Sequence, residues 1–305
     1  MLGEVFYWVF NMSIAAAITG CVILLIRRIN RIPRRVIALL WAIPFLRMLV
    51  PVGLGSKYGL MSLISRYTTK TVTVYVPATF SGAVTVTNYT MAADSYFPIT
   101  YKTNLLEDLF RVASVIWLSV AVILIIMFGV LYVISMREVR GAEHLSRNVY
   151  VSDKVSSPSV YGIFRPRIII PAACRDKDLT FVLMHERAHI RRADNLWRSV
   201  AFITAALHWF NPLAWVFLKY FLCELELSCD EKVLSRCGEE QKKAYALALV
   251  EYSESKSLAA SAFGGAKLRV RIENILSYKK ISAVSLAGFV CLAAAVAYML
   301  LTNAM

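Results

Sequence analysis

His185-Glu186-Arg187-Ala188-His189 sets two imidazoles and a carboxylate within one short stretch of chain. The pattern H-E-x-x-H is that of a zinc site carrying its own general base. On a helix, His185 and His189 are one turn apart and project from one face. That spacing lets both imidazoles reach a single tetrahedral ion at about 2.0–2.1 Å. Glu186, beside the first imidazole, is placed to take a proton from an attacking water. The competing reading is a surface helix with two unrelated histidines. The flanks weigh against it, because Asp178 and Thr180 offer helix N-caps and Phe181, Val182, Met184 and Ala188 supply apolar contacts.

A catalytic zinc takes three protein ligands and keeps one position open. The run 218–235 contains Glu224-Leu225-Glu226-Leu227-Ser228-Cys229-Asp230-Glu231. Residues two apart on a helix diverge by roughly 200°. Glu224 and Glu226 therefore cannot both face one metal. Glu226 and Asp230 lie one turn apart and share a face with Leu222 and Val233. On a buried face a carboxylate needs a partner. Glu226 is the candidate third ligand. Asp230 is the candidate acceptor that fixes the tautomer of a ligand imidazole. Glu224, Glu231 and Lys232 read as a solvated or separately engaged face. The alternative pairs Glu226 and Asp230 with Arg187, Arg191 or Arg192. The cofactor implied is one Zn2+ per chain. His208 is a candidate for steadying a transition-state oxyanion, against its commoner use as a satisfied buried histidine. Tyr245 and Tyr252 are weaker candidates for the same role.

These residues need a scaffold, and the composition points to a membrane. Hydrophobic residues make up 58% of the 305-residue chain, and mean hydropathy is +0.58. Four segments are apolar and long enough to be read as spans, at 5–26, 36–53, 109–136 and 281–302. The second contains Pro44, Arg47 and Pro51 and is the weakest. The first carries Glu4 and no basic stretch before it, unlike a cleaved signal peptide. Between the two motif helices, 201–222 is apolar enough to suggest a fifth span, which would put Glu226 across the bilayer from His185. Asn211-Pro212 interrupts that run and argues for two helices packed on the spans or lying at the interface.

Charge gives an expected orientation. Arg27, Arg28, Arg31, Arg34 and Arg35 crowd one loop, Arg137 and Arg140 follow the third span, and Lys279 and Lys280 precede the fourth. All fall on one side if the N-terminus faces outward. Residues 137–280, with 23 Lys and Arg against 16 Asp and Glu, are then cytosolic. A basic face against anionic membrane lipid accounts for the net charge of +14, and no basic stripe with interleaved aromatics indicates direct nucleic-acid binding. Cys174, Cys223, Cys229 and Cys237 lie in that segment without C-x-x-C spacing, and 55–107 has no cysteine, so no disulfide framework is indicated.

The domain reading follows: 1–54, two spans joined by a basic loop; 55–107, an outer loop; 108–136, the third span; 137–280, a cytosolic zinc peptidase domain; 281–305, the fourth span and a short tail. In the outer loop, Thr71–Val76 and Ala83–Val86 suggest a small hairpin, and Asn88-Tyr89-Thr90 is a lone sequon. In the peptidase segment, Val149–Val151 and Arg167–Ile170 suggest a small sheet ahead of the zinc helix. Its edge is suited to pairing with an extended peptide. The fold class is an α+β integral membrane protein.

The order of these parts, with His208-Trp209-Phe210-Asn211-Pro212-Leu213, Glu226-x-x-Cys229-Asp230-Glu231 and the earlier Ser157-Pro158, Gly162, Pro166 and Pro171, resembles the BlaR/MecR-type membrane zinc metallopeptidases, the antirepressor and β-lactam-sensor family. The resemblance covers essentially the whole chain. It implies a gluzincin-like site with His185, His189 and Glu226 on zinc and Glu186 as base. It also implies a bacterial inner-membrane signalling protease whose targets are cytosolic, often a winged-helix repressor or the protease itself. A second copy of the chain is a further candidate partner. Sensor members carry a penicillin-binding domain after the fourth span, whereas this sequence stops at Met305. Ser253 to Lys256 mimics S-x-x-K without its companion motifs. The expectation is a trigger acting through 55–107 or a partner, or a chain cut short of its sensor. The small, polar stretch 255–266 is a candidate self-cleavage linker, near Ala262-Phe263, against an ordinary connector. Two rival functions stay open: a membrane quality-control zinc protease, and a receptor or scaffold whose zinc is structural. Substrate breadth separates the first from a regulator. The glutamate inside the H-E-x-x-H motif argues against the second.

Overall fold

A computed structural model describes residues 2–29, 31–50, 56, 104–253 and 268–302. The expected hairpin and sequon in the outer loop and the linker 255–266 lie outside the described residues. The fold is mostly helical, with one small mixed sheet.

Among the described residues, three helices are long and apolar enough to cross a membrane: α1 (Leu2–Arg27), the Leu109–Glu138 part of α4 (Asn104–Glu138), and α10 (Ala283–Leu301). On α4 and α10, Val122, Ile123, Ile126, Val284 and Leu292 are exposed, as suits helices whose solvent is lipid. The segment expected as a second span is instead two short helices, α2 (Arg34–Leu40) and α3 (Ala42–Leu49). Pro44 explains the break. It has no N–H to offer the Leu40 carbonyl one turn earlier, and its ring crowds that carbonyl. The 16 residues from Arg34 to Leu49 reach about 24 Å at 1.5 Å per residue, and they carry the chain from the end of the bundle where Arg34 meets Glu231 to the end where Arg47 meets the last turn of α10. Ile37, Trp41 and Met48 are wholly enclosed by protein. Arg47 of α3 donates from Nη1 to the Leu301 carbonyl at 2.9 Å, a cation at the negative end of α10.

The run 201–222 is a helical hairpin and not a single span. Helix α6 (Asp194–Leu207) and helix α7 (Pro212–Leu234) are separated by His208–Asn211. Pro212 stands at the first turn of α7, where its missing N–H costs nothing. Asn211 caps the helix through its side-chain oxygen, which accepts from Leu213 N at 3.0 Å, and its Nδ2 reaches Ser13 Oγ at 2.7 Å. The reversal returns Glu226 to the end of the hairpin where α6 began. α7 packs against α1, α2 and α3 in one core that holds Ile23, Ile37, Trp41 and Phe217. Each such burial contributes on the order of 2 kcal/mol. Gly20 of α1 is required there, because a Cβ would lie 2.1 Å from the Phe217 ring.

The sheet runs β1 (Glu143–Ser146), β2 (Val149–Ser152), β4 (Arg167–Pro171), β3 (Ser159–Tyr161) in spatial order. β2 pairs with β4 in parallel, Val149 opposite Ile168 and Val151 opposite Ile170. Those four side chains share a face and pack on Leu179, Val182 and Leu183 at the start of helix α5 (Thr180–Arg191). Alternation along β4 sends Ile169 to the opposite face, against Val139 and Val155. The sheet thus seats α5 from behind. At the outer edge of β3, Asn195 Nδ2 already donates to the carbonyls of Val160 and Gly162, at 3.0 and 3.1 Å. Helices α8 (Glu239–Ser253) and α9 (Leu268–Ser277) close the other side of α5 and α7.

Candidate active site

α5 presents His185 and His189 from one face, both buried, with Nε2 atoms 3.1 Å apart. The Glu226 carboxylate of α7 meets them: Oε2 lies 3.5 Å from His185 Nε2 and Oε1 lies 3.7 Å from His189 Nε2. Two ligand atoms on a tetrahedral ion with bonds near 2.05 Å stand about 3.3 Å apart. The three measured separations bracket that value, and two imidazole nitrogens with one carboxylate form a donor set suited to Zn2+. The residues fit the cofactor that the motif implies. Glu186 is buried beside His185, and among the described residues its carboxylate makes no hydrogen bond or ion pair.

Each imidazole is held from behind through Nδ1. His189 Nδ1 is 2.6 Å from Asp194 Oδ2. Asp194 reaches it because Ala193 takes a left-handed conformation, φ 53°, and turns the chain straight from α5 into α6. A non-glycine residue there is costly, and the benefit is a carboxylate directly under His189. Arg192 Nε pairs with Asp194 Oδ1 at 3.2 Å, and Cys229 Sγ lies 3.3 Å from Asp194 Oδ2. His185 Nδ1 is 3.1 Å from both Asp230 Oδ1 and the Tyr245 hydroxyl, which itself donates to Asp230 Oδ1 at 2.6 Å. Burial alone pushes Asp230 up, but the Arg271 charge and its hydrogen bonds outweigh that and hold the carboxyl at about 2. Burial and the Asp230 charge push Tyr245 well up, so its hydroxyl keeps its proton and acts as a donor.

Glu226 and Asp230 do pair with arginines, though not with Arg187, Arg191 or Arg192. Glu226 pairs with Arg198 of α6 at 2.5 Å and with Arg271 of α9 at 3.4 Å, and Asp230 pairs with Arg271 at 2.7 Å. Asp194, Arg198 and Arg271 went unnoticed in the sequence. Asp194 is the first acid after the motif, which is a usable signal. Arg271 sits far along the chain in a polar helix and offers none.

Two expectations are corrected, and one open choice is resolved. His208 is not at this site. It ends α6 at the opposite end from Asp194, about 20 Å along the helix at 1.5 Å per residue, and its Nε2 is 3.1 Å from the Met48 carbonyl. Tyr245 stands behind His185 and not over the open face, and Tyr252 donates to the Asp178 carbonyl at an exposed position. For Glu224 and Glu231, read as solvated or separately engaged, the structure selects separate engagement. Both are buried on the far side of α7. Glu224 pairs with Arg27 at 2.6 Å, and Glu231 accepts from the Arg34 backbone N–H at 2.9 Å.

Among curated proteins, the chain is similar to Regulatory protein BlaR1 of Bacillus licheniformis, with 29% identity over 141 residues, 43% of this chain and 24% of that protein. Regulatory protein BlaR1 of Staphylococcus aureus is 25% identical over 154 residues, 46% of this chain and 26% of that protein. The Methicillin resistance mecR1 protein of Staphylococcus aureus strain Mu50 is 23% identical over 110 residues, 35% of this chain and 19% of that protein. The chain thus spans only about a fifth to a quarter of the length of these relatives. The family described as BlaR1 peptidase M56 matches residues 7–275, an interval that takes in α5, α6, α7 and Arg271, and the chain belongs to that family.

Proposed function

We propose that this protein is a multi-pass membrane zinc metalloendopeptidase that hydrolyses peptide bonds of cytosolic proteins in signal-dependent regulation. The observation that carries the reading is the convergence of His185 Nε2, His189 Nε2 and Glu226 at 3.1, 3.5 and 3.7 Å, from two separate helices. His185, His189 and Glu226 would hold Zn2+, which would supply Lewis-acid polarisation of a carbonyl and make an attacking water easier to deprotonate. Asp194 holds the Nδ1 proton of His189, and Asp230 with Tyr245 holds that of His185, so both Nε2 lone pairs face the ion. Glu186 accepts the proton of the attacking water and delivers it to the departing amine.

The orientation follows from charge. Arg27, Arg34 and Arg35 of the basic loop bind Glu224 and Glu231 on the helix that carries Glu226, so the loop and the site share one end of the bundle. With that loop cytosolic, the site is cytosolic. The regulatory substrate class rests on the names of the BlaR1 and mecR1 relatives. A cytosolic repressor, the linker 255–266 of the chain itself, or both are the targets.

Glu186→Gln is the test. Zinc should bind at one ion per chain as before, while peptide cleavage falls by at least about 100-fold, the low end for a general base. Comparing cytosolic protein N-termini between cells with the wild type and cells with this variant identifies the targets. One or a few lost N-termini support a regulator and many support quality control. Unchanged cleavage removes Glu186 from the role.

A further inference from the structure

The two ligand imidazoles are supported in unlike ways. His189 is held mainly by its own neighbourhood: Asp194 and Arg192 lie within five residues of it, with the left-handed Ala193 between them, and from another element Cys229 of α7 lies 3.4 Å from its Nδ1. His185 is held by residues from three other helices: Asp230 on α7, Tyr245 on α8 and Arg271 on α9. Arg271 links these parts. Its side chain is 7% exposed, a rare condition for an arginine without a fixed partner. Nε donates to Asp230 Oδ2 at 2.8 Å and Nη2 to Asp230 Oδ1 at 2.7 Å, a two-pronged grip that a lysine cannot reproduce. Nη1 lies 3.4 Å from Glu226 Oε2, and Nη2 lies 3.2 Å from His185 Nε2. Among the described residues it is the one cation paired with Asp230. Asp194 and Glu226 have Arg192 and Arg198 of their own.

α9 has little else to fix it so deeply. It is a ten-residue helix that runs toward α10 through residues 278–282, and its other buried side chain is Ile275, packed with Tyr245 and Leu234. The guanidinium therefore ties the helix before the last apolar span to the half of the site with no local support.

We propose that Arg271 is a positioning residue for metal binding: by gripping Asp230 it fixes the acceptor behind His185, and it makes that half of the site depend on the docking of α9. The inference rests on the metal-site reading given above. Without Arg271, Asp230 is a buried carboxylate without a cation. Its two oxygens then lose the grip that sets their direction, and the acceptor behind His185 Nδ1 is no longer fixed.

The test is a double-mutant cycle on zinc affinity, using the full chain in detergent and a competing chelating dye. Arg271→Gln and Asp230→Asn should each raise the zinc Kd by about 10–100-fold, the usual loss for a partner behind a ligand. Because one acts through the other, the double variant should lose no more than the worse single. Arg271→Gln combined with Asp194→Asn should instead multiply the two losses, since the imidazoles are held separately. Arg271→Lys keeps the charge without the fork and should fall between wild type and Arg271→Gln. If Arg271→Gln does not fold, Arg271→Lys carries the cycle with Asp230→Asn. A zinc Kd for Arg271→Gln within about twofold of wild type, or losses that multiply between Arg271 and Asp230, overturns the proposal. His185→Ala is the separate control. If it binds zinc as tightly as wild type, the metal-site reading itself fails, whatever Arg271 does.

Discussion

Glu226 and Asp230 of α7 look toward α5 and its imidazoles, and Glu224 and Glu231 of the same helix look toward the loop between α1 and α2. All four carboxylates are largely or wholly enclosed by protein, so burial does not tell the two faces apart. Their partners do. On the site face, burial pushes each carboxyl up, but the imidazoles, Arg198 and Arg271 outweigh it, leaving Glu226 well below the usual range and Asp230 at about 2. On the loop face, burial prevails over Arg27, Arg34, Arg35 and the backbone N–H donors, and both Glu224 and Glu231 stay raised. One face is built so that charge is welcome, which suits a site for a cation. The other tolerates charge in order to fasten α7 to the loop between α1 and α2. A helix that must place two side chains to a fraction of an ångström needs both.

Glu226→Ala breaks the comparison most severely. It removes a proposed ligand, so its loss of zinc affinity should exceed the 10–100-fold or so expected for a partner one layer back. The folded state should persist, because the loop face is untouched. Zinc titration and thermal melting of the metal-free protein check the two halves. A Glu226→Ala protein that binds zinc like wild type would show that the site face holds no metal.

Glu224→Ala comes next, and its effect should appear as stability. It strands Arg27, whose side chain is 23% exposed, against a buried void. The cost should be about 2–3 kcal/mol, less than for a fully enclosed pair because Arg27 reaches water. Zinc affinity of the folded fraction should change by no more than about threefold, since Glu224 acts on the placement of α7 as a whole. A zinc loss as large as that of Glu226→Ala would mean that the faces are not separable.

The comparison also shows what the chain discloses on paper. Local periodicity carries a long way: it separates Glu224 from Glu226, puts Asp230 with Glu226 and sets the two motif histidines on one face. The Asn211-Pro212 break was legible because its chemistry is local. Pro44 marks 36–53 as the weakest of the four spans, but hydropathy averages across a proline, so the segment still reads as one helix and not as two. Strands β1 and β3 were missed because four and three residues, largely exposed or half-buried, carry no alternation to read. Glu224 and Glu231 read as solvated or separately engaged, and the choice stays open because nothing nearby announces that a second element covers their face. Arg271 is the extreme case: its partner Asp230 is 41 residues away, and only tertiary docking joins them.

The smallest effect tests the sign of the contrast. Asp230, held at about 2 in the fold against an ordinary 3.8, contributes stability that is present above pH 3.8 and lost as pH falls through 2. Glu231, raised above 4.5 in the fold, does the reverse: its charged form subtracts stability above the folded value, and the penalty vanishes below 4.5. Glutamine at 231 removes the charge and keeps one acceptor oxygen, for the Arg34 N–H, while the bond from the Arg35 N–H is lost at every pH and leaves the slope unchanged. Glu231→Gln should therefore gain on wild type as pH rises from 4.5 toward neutral, by less than about 1 kcal/mol because Arg35 is partly solvated. Asp230→Asn should lose against wild type as pH rises from 2 toward 5. Melting curves of both metal-free variants, taken with chelator across that range, read the two slopes. Slopes of the same sign would show that the two faces of α7 hold their carboxylates by the same balance.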